Sequence, residues 1–358
     1  MVQKYKKPLN GLITFAGKQQ SMPETPTLVT ILLPFFNVGG EFDQAIESIS
    51  QQTFPHWQLL LISNNANPEG LEIAQKWVEK DLRKKLLHEP KQGIAHALNA
   101  GLAQSQSPFI ARMDADDISL PERLSKQFGF LENNPQIDVV CSQTTFKTNI
   151  PGSEGFSIFV DWQNSIISPE DHSLYRFIES TIAHPTIMFR KELLEKFGPY
   201  STRPVPEDYE LWLRWMDQGV RFFKIPEPLL TWNDHSERLT RTHENYSREA
   251  FFQVKCEYLS KWIKRNVLSG KKIVVCGSSR IGRKRAAMLQ ELGVEVFGFT
   301  DVKKRPNRQV NFIRIPEITH PEPWFLINFI ARRGVGKAIR EHFTALGFEE
   351  GKDFILAA

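Results

Sequence analysis

Short apolar runs alternate with segments of helical periodicity along the first third of the chain. The runs are rich in strand-forming residues and end at turn signals, so they predict strands that are buried on both faces. Alternating strands and helices predict an α/β fold, with a mostly parallel sheet flanked by helices on both faces. The predicted strands are residues 28–34, 57–62, 85–88 and 107–111, and the predicted helices are 42–49, 69–81 and 93–104.

The alternation is less regular in the middle of the chain. Glycine and proline residues within 144–175 predict a long irregular loop, and such loops in compact domains are often functional. The pattern beyond it predicts further short strands and helices and one long helix. These are a strand at 182–190, helices at 192–197 and 206–215, a short strand at 221–225, a polar loop at 228–241 and a long helix at 246–266.

The last quarter of the chain predicts a small Rossmann-like α/β domain. A strand from Lys272 leads through a tight turn into a helix, and two further strands and a helix follow. Gly277, Gly282 and Asp301 have a spacing similar to a dinucleotide-binding fingerprint, but Ser279 replaces its middle glycine and hinders close approach of a pyrophosphate. We therefore favour a structural or acceptor-positioning role for this domain over binding of NAD.

Charge and cysteine content narrow the partners that the protein can have. A formal net charge of +4 over 358 residues is far from a nucleic-acid-binding signature, although it tolerates phosphates or an anionic membrane surface. The 3 scattered cysteines form neither a disulfide framework nor a metal-ligand pattern, which indicates a reducing cytosol. No apolar run approaches the ~18 residues that span a bilayer. We expect a cytoplasmic protein, and peripheral contact with the inner face of the cell membrane stays open.

Three aspartates follow the strand that ends near Arg112. Asp114, Asp116 and Asp117 are therefore expected at the carboxyl end of a strand, which is the edge of an open α/β sheet where ligands bind. Carboxylates this close repel one another unless a positive group lies between them, and a divalent cation such as Mg²⁺ takes oxygen ligands of this kind. The alternative is an acidic loop that caps the helix beginning near Pro121.

Four short motifs occur in order along the first half of the chain. They are Leu33–Asn37, Gln51–Phe54, Gly93–Gly101 and Ala111–Asp117. Together they resemble glycosyltransferase family 2, whose members are inverting enzymes with the nucleotide-sugar-binding fold called GT-A. The similarity extends over about residues 27–241, which is most of the chain.

The resemblance implies a site for a nucleotide-sugar donor and a metal ion, Mg²⁺ or Mn²⁺. Arg238 and Arg241 are further candidates to pair with phosphate, with a solvated polar loop as the alternative. The implied nucleotide-binding residues are Pro34, Phe36, Asn37, Asn64, Gly93, Arg112 and Asp114, and the implied metal ligands are Asp116, Asp114 and His235, with Asp116 ahead of Asp114.

The chain departs from the family pattern after the second strand. The family usually has a pair of aspartates there, one of which recognises the nucleotide base, whereas this chain has Asn64 and Asn65. An asparagine accepts hydrogen bonds through its carbonyl and also donates them through its amide. Base recognition by Asn64 is therefore one interpretation, and an ordinary asparagine-rich turn is the other.

Glu207 and Asp208 precede an apolar helix, where acidic residues are explained by capping alone. The resemblance implies in addition that this pair supplies the catalytic base, with Asp208 at the matching position ahead of Glu207. A carboxylate can take the proton that an acceptor hydroxyl loses as it attacks an anomeric carbon. His184 matches another family pattern, but a packed loop histidine is the favoured interpretation.

These observations predict a loosely ordered tail (1–26), a GT-A domain (27–245), a helix and linker (246–269) and the Rossmann-like domain (270–358). The expected function is metal-dependent, inverting transfer of a sugar from a nucleotide-diphosphate donor to a hydroxyl of a glycan or lipid-linked acceptor, in cell-surface glycan assembly. Two alternatives stay open. One is a nucleotide-sugar-binding protein without turnover, and the other is an NAD-dependent oxidoreductase acting through the last domain.

Overall fold

The computed structural model describes residues 26–236, 238, 241, 243–301 and 311–358, so the predicted tail lies outside the described residues except for Pro26. The strands are β1 (Val29–Phe35), β2 (Trp57–Ser63), β3 (Lys84–His88), β4 (Phe109–Arg112), β5 (Ile118–Ser119), β6 (Val139–Thr148), β7 (Met188–Arg190), β8 (Phe222–Asp234), β9 (Lys272–Cys276), β10 (Val296–Thr300), β11 (Trp324–Asn328) and β12 (Phe354–Leu356). The helices are α1 (Gly40–Ser50), α2 (Pro68–Lys80), α3 (Ile94–Gln104), α4 (Arg123–Asn133), α5 (Glu154–Ser165), α6 (Pro169–Tyr175), α7 (Glu192–Phe197), α8 (Glu207–Asp217), α9 (Arg248–Asn266), α10 (Arg280–Glu291) and α11 (Val335–Ala345).

The larger sheet has eight strands in the order β3-β2-β1-β4-β7-β6-β8-β5. Strands β1 to β4 pair in parallel, and β6 also pairs in parallel with β8. β7 is antiparallel to β4 and β6, and β5 is antiparallel to β8. The predicted α/β class with a mostly parallel sheet is therefore confirmed, and the carboxyl ends of β1, β2 and β4 lie at one edge.

Helices cover both faces of this sheet. Because successive side chains of β1 point to opposite faces, this strand contributes to the packing on each face. Ile31 and Leu33 share a buried cluster with α1, whereas Leu32 shares another with α3. Gly101 of α3 lies so close to the sheet that a Cβ atom there would be 2.5 Å from Ile62 Cδ1. A larger residue at this position would separate helix from sheet, which explains a glycine within the apolar stripe of the helix.

Three predictions for the middle of the chain are wrong. The predicted loop at 144–175 contains the end of β6 and the helices α5 and α6. The short strand at 221–225 continues to Asp234, because the second half of β8 pairs with β6 and β5 despite its two prolines. The predicted strand at 182–190 is mostly a 3₁₀ turn (His184–Thr186) followed by the short β7. In β8, pairing between distant strands thus overrides local sequence signals.

A second sheet of four parallel strands has the order β10-β9-β11-β12. Residues of this sheet, of α9 and of α8 form one buried apolar cluster, which includes Ile327, Leu259 and Tyr209. Helix α9 therefore packs against both parts of the chain. Within the described residues, none of the helices has the length and apolar character needed to cross a membrane.

Candidate active site

The acidic loop lies between β4 and β5, at the carboxyl edge of the parallel strands. Because β1 and β4 run in parallel, the turn after β1 opens at the same edge. Carboxylate oxygens of Asp114, Asp116 and Asp117 lie within 4.8 Å of one another. The fold therefore brings these three side chains to one point where ligands bind in open α/β sheets.

The chemistry of this cluster fits a divalent cation. Asp117 is buried; its Oδ1 accepts a hydrogen bond from the Asn233 N–H at 2.9 Å, while its Oδ2 has no hydrogen-bond partner in the described part of the chain. Burial, together with the negative charges of Asp116 and Asp114, raises the pKa of Asp117 well above its ordinary value. A cation with oxygen ligands, such as Mg²⁺ or Mn²⁺, would relieve both the repulsion and the unpartnered oxygen. Asp117 is thus a candidate ligand that the predicted metal set omits.

His235 lies against this cluster. Its Nε2 is 2.7 Å from Asp116 Oδ2, and this hydrogen bond raises the pKa of His235. Burial acts to raise the pKa of Asp116, but the hydrogen bond from His235 and the charge of Arg238 bring it below its ordinary value. The structure therefore brings together all three side chains of the predicted metal set.

The end of β8 holds the acidic loop in place. Asn233 donates its Nδ2–H to the Asp116 carbonyl at 2.7 Å, in addition to the bond from its backbone to Asp117. Thr231 pairs with Ile118 of β5, directly after the loop. The sequence prediction missed Asn233, because an asparagine in a polar segment has no distinguishing signal until the pairing of β5 with β8 is known.

Two buried arginines lie beside the acidic loop. Arg112 contacts Asp114 through Nη2, and its Nε and Nη1 have no hydrogen-bond partner among the residues described. Burial acts to lower the pKa of Arg112, but the charge of Asp114 raises it overall. Arg123 donates a hydrogen bond to the Arg112 carbonyl at 2.6 Å and so holds the end of β4. A buried cation with unsatisfied donors suits an anionic ligand.

The predicted donor-binding residues at the end of β1 and in the turn after it lie at the same edge. Pro34 is buried within β1, whereas Phe36 and Asn37 are exposed beyond it. Asn67 exchanges hydrogen bonds with the backbone of Val38 at 3.0 and 3.3 Å and so anchors this turn. Phe36, with 44 % of its surface exposed, is therefore available to a flat ligand group.

Asn64 is buried at the end of β2 and contacts the loop at 89–93. Its Nδ2 donates to the carbonyls of Glu89 at 3.0 Å and Lys91 at 2.8 Å, and its Oδ1 accepts from the Gly93 N–H at 2.7 Å. Gly93 has a φ of +127°, which other residues rarely adopt. The structure thus joins two predicted nucleotide-binding residues, and both amide hydrogens of Asn64 are donated to the loop.

Glu207 and Asp208 form the first turn of α8. Glu207 is buried; its Oε2 accepts a hydrogen bond from the Tyr246 hydroxyl at 2.5 Å, and its Oε1 is 3.9 Å from His184 Nδ1. Asp208 is partly exposed, and its Oδ1 accepts from the Tyr209 N–H at 2.7 Å. Of the two carboxylates, Asp208 is therefore the one that solvent and a substrate can reach.

The pKa values of Glu207 and Asp208 are both raised, but that of Glu207 is the higher. Burial and the charge of Asp208 raise the pKa of Glu207 to about 8, and burial raises the pKa of Asp208 to about 6. Arg112 acts on both acids and Asp114 acts on Asp208, so the first turn of α8 lies within electrostatic range of the acidic loop. A carboxylate with a pKa near 6 is ionised at neutral pH and is a stronger base than an ordinary aspartate.

The remaining candidates have structural partners. His184 is buried and its Nε2 is 2.8 Å from the Tyr200 hydroxyl, which agrees with a packed histidine. Arg241 pairs with Asp234 at 2.6 Å. The guanidinium of Arg238 lies 4.5 Å from the centroid of the Trp232 ring on β8. These contacts connect the chain beyond β8 to the site.

Comparisons with known proteins show the family to which the sequence is similar. The model of the family named glycosyl transferase family 2 matches residues 30–198. The amylovoran biosynthesis glycosyltransferase AmsE of Erwinia amylovora is 30% identical over 57% of this chain and 75% of its own length. The O-antigen biosynthesis glycosyltransferase WbnJ of Escherichia coli is 27% identical over 68% of this chain and 93% of its own.

A solved structure confirms the fold. S. aureus TarS 1-349 in complex with UDP-GlcNAc superposes with a TM-score of 0.54 and 16% identity, covering 74% of this chain and 71% of the other. The fold and the sequence relatives together assign the chain to the class of α/β enzymes with the GT-A fold. The chain belongs to glycosyltransferase family 2 and is a glycosyltransferase.

Proposed function

We propose that this glycosyltransferase is metal-dependent and inverting, and that it moves a sugar from a nucleotide-diphosphate donor to an acceptor hydroxyl in cell-surface glycan assembly. The names of AmsE and WbnJ refer to amylovoran and O-antigen biosynthesis and support a role in glycan assembly. A glycan or lipid-linked acceptor is part of this proposal. The UDP-GlcNAc complex of TarS supports a nucleotide-sugar donor. A cytoplasmic location agrees with this proposal.

The donor occupies the carboxyl edge of the larger sheet in this proposal. Pro34, Phe36 and Asn37 line the nucleoside side, and Arg112 supplies its unpartnered donors to the anionic part of the ligand. Asn64 acts indirectly, by holding the loop that contains Gly93. Asp114, Asp116, Asp117 and His235 hold Mg²⁺ or Mn²⁺, which would neutralise charge on the diphosphate leaving group.

Asp208 is the catalytic base. Its carboxylate removes the proton of the acceptor hydroxyl while the hydroxyl oxygen bonds to the anomeric carbon. The bond between that carbon and the diphosphate oxygen breaks on the opposite side, so the configuration inverts. Glu207, whose pKa is raised to about 8 by burial and by Asp208, keeps its proton at neutral pH and leaves the charge of the pair on Asp208.

The observation that carries this proposal is the unpartnered oxygen of Asp117 within a cluster of three carboxylates. The test is a thermal-shift panel with UDP, GDP, CDP and dTDP, each with and without Mn²⁺, and with NAD. A ligand that binds only the folded state raises Tm by mass action. We expect one nucleoside diphosphate to raise Tm only with metal, and Asp116→Ala to abolish this shift.

The control is Asp43→Ala, which changes an aspartate of α1 outside the cluster and should retain the shift. Stabilisation by NAD alone would contradict the proposal and favour an oxidoreductase acting through the second sheet. Stabilisation by a nucleoside diphosphate without any release of it from a matching nucleotide sugar would favour a binding protein without turnover.

A further inference from the structure

Helix α8, whose first turn contains Glu207 and Asp208, is held from one side by two tyrosines of the following segment. Tyr246 donates its hydroxyl hydrogen to Glu207 at 2.5 Å, and Tyr258 donates to Glu210 at 2.6 Å. The first distance is at the short end of the range for O–H···O hydrogen bonds. Glu207 is thus held by a side chain that lies 39 positions further along the chain.

We propose that Tyr246 is a positioning residue, which orients Glu207 and through it the Asp208 carboxylate. This inference rests on the proposed function, since it assigns Tyr246 to the same reaction. Tyr246 does not touch the acceptor in this proposal. Its hydroxyl fixes the side chain that precedes the base in the first turn of α8.

The segment of Tyr246 is itself fixed by the second sheet. Ser247 follows directly and caps α9, accepting a hydrogen bond from the Ala250 N–H at 3.3 Å. Helix α9 shares a buried cluster with strands β9 and β11, and Lys255 donates to the Ala357 carbonyl at 3.3 Å. The second sheet therefore has a physical connection to the proposed catalytic pair, and this agrees with the structural or acceptor-positioning role that the sequence favours.

The groups around Glu207 show how Tyr246 affects its charge. Asp208 opposes ionisation of Glu207, whereas Arg112 and the hydroxyl of Tyr246 favour it. His184 faces the other carboxylate oxygen, and burial lowers its pKa well below the ordinary value, so it is neutral. Its Nε2 is 2.8 Å from the hydroxyl of Tyr200, which is another titratable group. Loss of the Tyr246 hydroxyl is therefore expected to raise the pKa of Glu207 further.

The experiment compares Tyr246→Phe with Tyr258→Phe. Both variants delete one phenol hydroxyl that donates to a glutamate of α8, and only Tyr246 contacts the proposed catalytic pair. Tyr258 is buried, whereas Tyr246 is half-buried. The assay is release of nucleoside diphosphate from the nucleotide sugar selected by the thermal-shift panel. We expect kcat of Tyr246→Phe to fall about tenfold to a hundredfold, the effect of misplacing a catalytic group, with the donor KM unchanged.

For Tyr258→Phe we expect kcat within about threefold of the wild-type value, because its partner Glu210 lies outside the pair. The pH profile of kcat supplies a readout that a structural role would not move. The upper ionisation of the pair should shift to higher pH in Tyr246→Phe and stay in place in Tyr258→Phe. Should Tyr246→Phe not fold, 3-fluorotyrosine at position 246 keeps the ring and donates more strongly, which should shift the same ionisation to lower pH.

Equal kcat losses in the two variants, or an unchanged pH profile in Tyr246→Phe, would overturn the inference while leaving the proposed function intact. A wild-type protein that releases no nucleoside diphosphate from any nucleotide sugar of the panel would instead refute the proposed function, and with it the role of Tyr246 in turnover.

Discussion

Replacing Asn64 by aspartate tests whether this residue holds the loop at 89–93 or is free to read a nucleotide base. The variant restores the residue type that the family usually has here. Asparagine donates two hydrogen bonds, to Glu89 and Lys91, and accepts one from Gly93. An ionised aspartate retains only the last of these and faces two carbonyl oxygens with a negative charge.

The expected loss of stability follows from these contacts. Each of the two lost hydrogen bonds contributes about 1 kcal/mol net, and the buried charge adds a further penalty. We therefore expect Asn64→Asp to lower the free energy of unfolding by about 2–4 kcal/mol near pH 8. Protonation would return one donor, so the pKa of the new carboxyl is raised in the folded state. Because a raised pKa favours the protonated form, the loss should shrink as the pH falls toward 5.

The assay is urea unfolding near pH 8 and near pH 5, with hydrogen exchange at residues 89–93 to locate the effect. Asn65→Asp is the matched control, since Asn65 donates to the same loop at 3.0 Å but is exposed. A new charge at the surface remains hydrated, so the control should lose less than about 1 kcal/mol. Both variants keep a residue type that tolerates the φ of +58° found at Asn65.

Equal stability of Asn64→Asp and wild type near pH 8 would refute this reasoning. It would mean that the side chain leaves the loop at no cost and is free to contact a ligand. A gain in affinity for UDP without loss of stability would point the same way.

Three other substitutions test the site. Asp208→Asn cannot accept a proton, so we expect kcat to fall about 100- to 10,000-fold with an unchanged donor Kd by calorimetry; a fall of less than tenfold would exclude Asp208 as the base. Glu207→Gln removes a carboxyl whose pKa is raised from 4.5 to about 8 by burial and by Asp208. Because the wild type loses stability as pH rises through this range, the Tm of the variant should match that of the wild type near pH 5 and exceed it by several degrees near pH 9. No gain in Tm near pH 9 would contradict the raised pKa. Asp117→Asn exchanges a cation ligand for a neutral amide, so Mn²⁺ affinity should fall at least tenfold in a titration, whereas unchanged affinity would remove Asp117 from the metal set.

The sequence indicated the α/β class and the order of the motifs because both are local properties. Apolar runs and helical spacing report which side chains can be buried, and these were sufficient to predict strands β1 to β4 and the acidic loop after β4. The carboxyl ends of parallel strands meet at one edge, so the positions of Pro34, Asn64 and Asp114 could be predicted before any contact was known.

Which side chains meet at that edge depends on how the separate elements pack together. His235 contacts Asp116 across 119 positions of the chain, and Tyr246 reaches Glu207 across 39. Both contacts depend on the placement of β8 beside β5 and of α9 beside α8. Local periodicity does not encode strand order or helix docking, since these follow from how separate apolar faces share one core. Local sequence patterns therefore identify the residues available for chemistry, and the fold determines their partners.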